Sequence, residues 1–264
     1  MKSCIIHLTF VIGHLSFIPM SGHSHYATIH RQKDLKDAQK GKVFSKLAQT
    51  IAIAAKSGAD PESNYKLRMV IDQARAVNMP KANIERAISK AAEVGDIEEV
   101  IYEGFGPAGI SVIVQATTDN RNRTGQEIKN LFEREGGSLA GPGAVSFNFE
   151  PKGLIAVKKE GDAESQMLKL IDAGAQDLEE TNDAIEVYTP SEKLSEIRKK
   201  IESLGFNILS FELVQKPKNF QTVTAAGVAS KALGFLDMLS DREDVQKVFA
   251  NLDIPDEVVS NLNP

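Results

Sequence analysis

The chain has 264 residues, enough for one large domain or for two to three small ones. Its 42% hydrophobic and 25% charged residues are typical of an ordinary globular protein. Its single cysteine, Cys4, excludes an internal disulfide, a cysteine-based zinc site and a CxxC redox motif. One cysteine fits a reducing compartment, and we expect a cytoplasmic protein.

The net charge of −5 conceals two regions of opposite sign. Residues 20–95 contain 13 Lys and Arg against 7 Asp and Glu, whereas residues 96–264 contain 17 against 29. A basic region joined to an acidic remainder favours nucleic acid as the partner of the basic part. A solvated basic helix face explains the same charge equally well, so charge alone leaves both interpretations open.

Residues 1–19 contain an apolar run from Cys4 to Ile18. The run is shorter than the roughly 20 apolar residues that span a bilayer, and no A-x-A cleavage site follows it. We therefore expect a disordered leader or an upstream start-site artefact, and no membrane association.

Residues 20–95 have the periodicity of an all-α domain. A polar helix is predicted from Tyr26 to Gln39, followed by a break at Gly41 and a second helix with its apolar side inward. Lysines lie on the outer faces of these helices: Lys33, Lys36 and Lys40 on the first, Lys42 and Lys46 on the second. A weak apolar stripe beside a strong basic one favours an external, anionic partner.

Two more helices complete this domain. Asp60-Pro61 is a typical helix start, with a capping side chain followed by proline at the first helical position. A turn at residues 78–80 separates that helix from the next.

After residue 95 the period changes to two. Residues 110–116 alternate as a half-buried strand, and a capping box at residues 124–127 opens a helix. Val145, Phe147 and Phe149 alternate as a second strand.

Residues 151–216 have the order β-α-β-α-β, which indicates a ferredoxin-like domain that ends in a linker at residues 216–218. Residues 217–264 add a helix and a strand to the unit before it. The predicted fold is therefore α+β: an all-α domain (20–95), then two ferredoxin-like α/β-sandwich domains. One of these two is split (96–150 plus 217–264), and the other (151–216) is inserted into it.

The sequence shows no catalytic constellation. Residues 104–109 satisfy G-x-G-x-x-G, but this segment precedes a strand instead of opening a helix, so it is read as a turn. No metal-binding spacing of His and Cys and no Ser/His/Asp arrangement stands out. We expect a protein that is not an enzyme, with no cofactor, metal or small-molecule substrate.

The segment 118–124 carries two arginines, Arg121 and Arg123, beside a predicted helix N-terminus. Amides and guanidinium groups bind phosphate well in such a place. Pairing of the arginines with local acids such as Glu127 explains the same residues, and the sequence leaves both interpretations open.

Several motifs in order resemble the YebC/PmpR family. They are Met20-Ser-Gly-His-Ser24, His30-Arg31, residues 40–46 (KGKVFSK), Asp60-Pro61, Asn78-Met-Pro-Lys81, residues 102–107 (YEGFGP) and residues 118–124 (TDNRNRT). The match runs from Met20 nearly to the C-terminus. Tyr26 departs from it, since the family usually has Trp there.

This resemblance implies three domains and a DNA-binding transcriptional regulator. Some relatives resemble translation factors that contact the ribosome and help with difficult, notably proline-rich, nascent chains, so DNA and ribosomal RNA both stay open. The predicted nucleic-acid contacts are His23, His25, Arg31, Lys33, Lys36, Lys40, Lys42, Lys46, Arg121 and Arg123. The alternatives are a scaffold whose acidic domains bind a basic protein and a hydrolase or transferase with a site between domains.

Overall fold

The computed structural model describes residues 37–92, 97–181 and 183–260. These residues form a mixed α/β structure with helices and antiparallel four-stranded sheets. Its first part consists of three helices, α1 (Asp37–Lys56), α2 (Tyr65–Ala76) and α3 (Lys81–Ser89). The elements that follow are β1 (Glu98–Phe105), β2 (Ser111–Thr118), α4 (Arg121–Arg134), β3 (Ser138–Ala140), β4 (Phe149–Lys158), α5 (Ala163–Asp172), β5 (Asp177–Glu180), β6 (Ala184–Pro190), α6 (Leu194–Ser203), β7 (Ile208–Pro217), β8 (Gln221–Thr222), α7 (Ala226–Ser240), β9 (Val245–Ala250), β10 (Leu252–Asp253) and α8 (Asp256–Ser260).

The three N-terminal helices share one apolar core, built around Ile51, Leu67 and Ile84. The expected break at Gly41 is wrong, because α1 runs through this glycine, which costs only about 1 kcal/mol relative to alanine. Nothing lies within 4 Å of a Cβ built there. The absence of a break places every lysine of α1 on one continuous helix.

The start of α2 also differs from the prediction. The helix begins at Tyr65, not at Asp60-Pro61, and the Asn64 side chain caps it by accepting a 3.1 Å hydrogen bond from the Leu67 amide. Asp60 instead closes the preceding turn by accepting from the amide of Glu62 at 3.0 Å. A local Asx-type turn therefore competes with the cap and delays the helix.

The first sheet has the order β3-β1-β2-β9, with all neighbours antiparallel. Helices α4 and α7 cover one face, where the rings of Phe132 and Phe235 pack edge to face with centroids 4.9 Å apart. Strands β1, β2 and β3 precede the second sheet in the chain, whereas β9 follows it. The first sheet therefore combines chain segments from before and after the second sheet.

Three strand predictions for this unit need correction. Strand β1 is additional to the predicted elements. The strand expected from Val145 to Phe149 is wrong, because β3 is the strand that follows α4 and residues 146–148 form a single 3-10 turn. The turn leaves Val145 buried and Phe147 71% exposed, whereas an alternating strand would put both on one face. The strand expected at residues 248–254 is divided at Asn251 into β9 and β10, and β10 pairs with β8.

The second sheet has the order β5-β6-β4-β7, also antiparallel throughout, with α5 and α6 packed on one face. Its elements follow one another as β-α-β-β-α-β, the order of ferredoxin-like motifs. The predicted order lacked the short strand β5. The predicted linker at residues 216–218 is wrong at its start, since Pro217 still pairs with Phe149 at the end of β7.

The helical region packs against both sheets. Met69 of α2 contributes to the core of the second sheet, and Gln73 donates a 3.2 Å hydrogen bond to the carbonyl of Phe211 on β7. On the other side, the Thr50 hydroxyl donates to the Gln246 side chain on β9 at 3.2 Å. These contacts set the surface that the helices leave exposed.

Candidate nucleic-acid interface

Lys40 of the first predicted basic stripe and Lys42 of the second lie on opposite sides of one helix, α1. Lys40 and Lys42 are about 200° apart around the axis at 100° per residue, since the helix continues through Gly41. The backbone alone places them, and their side chains lie outside the described residues. Five further predicted contacts lie wholly outside the described residues: His23, His25, Arg31, Lys33 and Lys36.

Lys46 contacts another part of the protein. Its Nζ donates a 2.6 Å hydrogen bond to the carbonyl oxygen of Ser240 in the last turn of α7. A cation suits this place, because the last carbonyls of a helix lack intrahelical partners and carry partial negative charge. The expectation that Lys46 points outward is therefore wrong, and its contact with nucleic acid stays a prediction.

Three cations that the predicted set omits lie on the surface of the helical region. Lys66, Arg86 and Lys90 are exposed, and they form no ion pair within the described part of the chain. The apolar residues Ile84 and Ala87 face the core, which turns Arg86 and Lys90, one helical turn apart, towards solvent. The spacing of these apolar residues in the sequence therefore predicts that Arg86 and Lys90 are exposed.

The other cations of α2 and α3 form hydrogen bonds or ion pairs. Arg68 donates from Nε to the carbonyl of Pro61 at 3.0 Å and from Nη2 to that of Glu62 at 2.8 Å, so it holds the turn before α2. Arg75 and Lys81 are exposed, and each lies 3.5 Å from a carboxylate in its own helix. Such exposed pairs are weak and exchange readily for phosphate.

Helix α4 begins three residues before the predicted capping box. It starts at Arg121, and Asn120 caps it by accepting a 3.0 Å hydrogen bond from the Arg123 amide. The Thr124 hydroxyl donates instead to the carboxylate of Asp244, which ties the helix start to the segment before β9.

The two arginines at this helix start have different surroundings. The Nη2 atom of Arg123 lies 3.0 Å from Asp119 Oδ1 and 3.1 Å from Asp244 Oδ2. The hydrogen bond to Asp244 and the charges of both acids raise the pKa of Arg123 above its usual value. Arg123 therefore pairs with local acids, although Glu127 is not among them, since it pairs with Arg242.

Arg121 is exposed and has no ion pair among the described residues. Its carbonyl accepts a 3.1 Å hydrogen bond from the Tyr102 hydroxyl, which fixes the backbone at this point. Phosphate binding by Arg121 stays a prediction, and the acids around Arg123 work against an anion at the same helix end.

The glycine-rich segment 104–109 contains the end of β1 and the tight turn that connects it to β2, so the predicted turn is shorter than expected. The Gly106 amide donates to the carbonyl of Ile110 at 2.8 Å, which closes the turn. A Cβ on Gly104 would lie 2.6 Å from Cε1 of Phe132. This glycine therefore permits close packing of a sheet against a helix, which is a structural reason for its presence at the end of β1.

A cleft of about 790 Å³ lies where α1 and α2 meet the two sheets. On its wall, Lys216 Nζ lies 2.6 Å from Asp177 Oδ2, 3.0 Å from Glu179 Oε1 and 3.6 Å from the centre of the Tyr188 ring. Burial lowers the pKa of Lys216, but the hydrogen bond to Asp177 and the charge of Glu179 raise it above its usual value. The charge of Lys216 is thus paired with two acids within the protein. Across the described ranges, no cluster of three His, Cys, Asp or Glu side chains suits a metal ion.

Two family profiles cover almost the whole described chain. Residues 24–94 match the one described as "TACO1/YebC protein N-terminal domain", and residues 97–252 match "TACO1/YebC second and third domain". The chain belongs to the TACO1/YebC family. The resemblance seen in the motifs is thus confirmed, and the boundary between the two TACO1/YebC profiles falls between α3 and β1.

Bacterial relatives in this family are similar over nearly their full length. Proteins of Dictyoglomus thermophilum and Thermotoga maritima are each 43% identical over 92% of this chain, and they are covered to 100% and 98%. Both carry the name "Probable transcriptional regulatory protein".

A solved TACO1/YebC-like structure has the same fold. The crystal structure of a conserved hypothetical protein from Aquifex aeolicus superposes with a TM-score of 0.78 at 42% identity. The match covers 84% of this chain and 94% of the other. In the part of the chain that the structure describes, every helix is too short or too polar to cross a membrane.

Proposed function

We propose that this TACO1/YebC protein is a non-enzymatic, cytoplasmic regulator of gene expression that binds DNA through its basic helical region. The observation that carries the proposal is the exposed set Lys66, Arg86 and Lys90, without an ion pair among the described residues, on a region whose neighbours in the chain are acidic. The name shared by its relatives supports a regulatory role.

Charge determines which side of the protein meets a polyanion. A duplex carries a dense row of phosphates, and each cation that neutralises one releases a condensed counterion. The acidic remainder, with 29 Asp and Glu against 17 Lys and Arg, has a net charge that disfavours the same polymer, so contacts there are confined to local cations. The helical region is therefore the main part that approaches nucleic acid, with the N-terminal lysines and histidines as additional contacts.

The test replaces the three exposed cations. Lys66→Gln, Arg86→Gln and Lys90→Gln together should weaken binding to duplex DNA and flatten the plot of log affinity against log salt by about 2 to 3 units if all three touch phosphate. The matched control is Lys169→Gln, Lys193→Gln and Lys199→Gln, three exposed lysines of the acidic part. It removes the same charge and should leave the slope unchanged. Equal slopes for both triple variants would overturn the proposal.

A second candidate is a translation factor that binds ribosomal RNA and assists the synthesis of proline-rich chains. The distribution of charge favours it, because the cations are spread over three helices and Lys40 and Lys42 lie on opposite sides of α1. A recognition helix for a major groove would concentrate them on one helix. Co-sedimentation of the parent and both triple variants with ribosomes at moderate salt distinguishes the two functions. If neither ribosomes nor DNA respond to the helical variant, a scaffold for a basic protein partner becomes the better interpretation.

A further inference from the structure

The loop between β3 and β4 presents a large aromatic ring to solvent. Phe147 is 71% exposed, more than any other large apolar side chain in the described part of the chain. Its neighbours in the loop are small or polar: Gly141, Pro142, Gly143 and Ser146 are also exposed. Most of the ring is thus open to solvent, and this exposed part contributes nothing to the core.

A buried carboxylate anchors the backbone of this loop. Glu103, 7% exposed, accepts 2.8 Å hydrogen bonds from the backbone amides of Gly143, Val145 and Ser146. Val145 is fully buried and packs with Ile113 on the face of the first sheet opposite α4 and α7. The base of the loop is therefore rigid although its tip is exposed.

A second set of bonds holds the loop from the side. The buried Asn148 accepts from the Asn219 amide at 3.2 Å and donates to the Asn219 carbonyl at 3.1 Å. Next to it, Lys218 Nζ donates a 2.9 Å hydrogen bond to the carbonyl of Phe147. Exposed Lys218 is thus fixed at the backbone of the residue that carries the ring, and among the described residues its ammonium has no ion pair, so its other protons can contact an anion.

We propose that Phe147 and Lys218 form a binding site for an unpaired nucleotide. The ring of Phe147 stacks on the base, and the ammonium of Lys218 contacts the phosphate. Every base has a flat π face, and single-strand binding proteins combine such stacking with nearby positive charge. The hydrogen bonds hold the loop in place before binding, so less binding energy is lost in ordering it. The proposal rests on the proposed nucleic-acid function but uses a surface separate from the helical region.

A protein partner fits this site less well. Energetically important protein contacts are surrounded by further residues that exclude water from a central anchor. The exposed residues near Phe147 in the loop are small or polar and Lys218 is bound to its carbonyl, which suits a single stacked base.

The sequence contains no tryptophan, so Phe147→Trp introduces the sole indole as a reporter. On titration with a 12-nucleotide single-stranded RNA or DNA, this variant should bind about as tightly as the parent, and its fluorescence should be quenched. Phe147→Ala and Phe147→Leu should both weaken binding, about 5- to 150-fold, with an unchanged salt slope. Lys218→Gln should flatten that slope by about 0.7. An oligonucleotide with abasic sites at its central positions should not distinguish Phe147→Ala from the parent.

Leu168→Trp is the matched control, because Leu168 is 65% exposed on α5. Its fluorescence should not respond to the oligonucleotide. Retention of affinity in Phe147→Leu would overturn stacking in favour of plain apolar contact. Unchanged affinity in Phe147→Ala would overturn the nucleotide site.

These outcomes are separable from the test of the helical region. If Phe147→Ala loses affinity while the Lys66, Arg86 and Lys90 variant does not, the nucleotide site stands and the helical interface fails. The opposite result removes the nucleotide site alone. Thermal unfolding of Phe147→Ala should match the parent, since the ring is exposed.

Discussion

The guanidinium of Arg198 on α6 connects the helical region to the second sheet. Its Nη2 atom lies 3.2 Å from Asp72 Oδ2 on α2, and its planar group stacks 4.3 Å from the centre of the Phe211 ring. The Arg198 side chain is only 16% exposed. One side chain thus forms an ion pair and a cation–π contact at the same boundary.

We expect Arg198→Ala to lower the free energy of unfolding by about 1 to 3 kcal/mol, because it removes both contacts and leaves Asp72 with only its exposed pair to Arg75. Arg198→Lys should recover only part of this, since an ammonium cannot stack as a planar fork. Urea unfolding measures both changes, and a double-mutant cycle with Asp72→Ala isolates the pair. Lys200→Ala, in an exposed pair with Glu196 on the same helix, is the control and should have no measurable effect.

Glu103 should make stability depend on acidic pH. Burial raises the pKa of the Glu103 carboxyl, but the hydrogen bonds from the amides of Gly143, Val145 and Ser146 together lower it below its usual value of 4.5. A carboxyl with a lowered folded-state pKa stabilises the protein above the unfolded-state pKa, and this contribution is lost as the pH falls through the folded-state value.

Glu103→Gln should therefore be less stable than the parent at pH 7, by about 1 to 3 kcal/mol, because the new amide cannot accept all three bonds. The difference should shrink as the pH falls from about 4.5 towards 3. Chemical unfolding across this range measures it. A difference that stays constant from pH 7 to pH 3 would contradict the assignment.

Glycines at two places should respond in opposite directions to alanine. Gly104→Ala puts a Cβ 2.6 Å from both Phe132 Cε1 and the carbonyl oxygen of Ser138, so we expect a loss of about 1 to 3 kcal/mol from overpacking. Gly234 lies within α7 with nothing within 4 Å of a Cβ, so Gly234→Ala should gain about 0.5 to 1 kcal/mol. Thermal unfolding of the two variants measures both effects, and equal effects would show that the close approach at Gly104 does not determine its stability.

The division into domains is testable with fragments. Residues 149–218 contain all four strands and both helices of the second sheet, so we expect them to fold alone. Residues 97–148 should not, because α7 and β9 supply much of their core, including Phe235, Leu239 and Val245. Circular dichroism on heating checks both. Cooperative unfolding of residues 97–148 alone would refute the proposal that this domain is split.

Local patterns in the sequence were sufficient for much of the fold. The stripe of Leu67, Ile71 and Ala74 predicts the buried face of α2, and the alternation from Ile110 to Ala116 predicts β2. Both patterns depend on the repeat of a single helix or strand, which neighbouring residues determine. The ordered motifs also identify the family, because they are read directly from the chain.

Only the tertiary structure decided which surface residues stay available. Nothing local in the sequence distinguishes Lys46 from Arg86, yet Lys46 donates a hydrogen bond to the carbonyl of Ser240, 194 positions further along the chain. The alternation at Val145, Phe147 and Phe149 predicts a strand. Instead, hydrogen bonds from three backbone amides to Glu103 hold this segment in a turn, which leaves Phe147 exposed. Contacts between distant segments depend on the tertiary fold, and the local repeat of a helix or strand does not determine them.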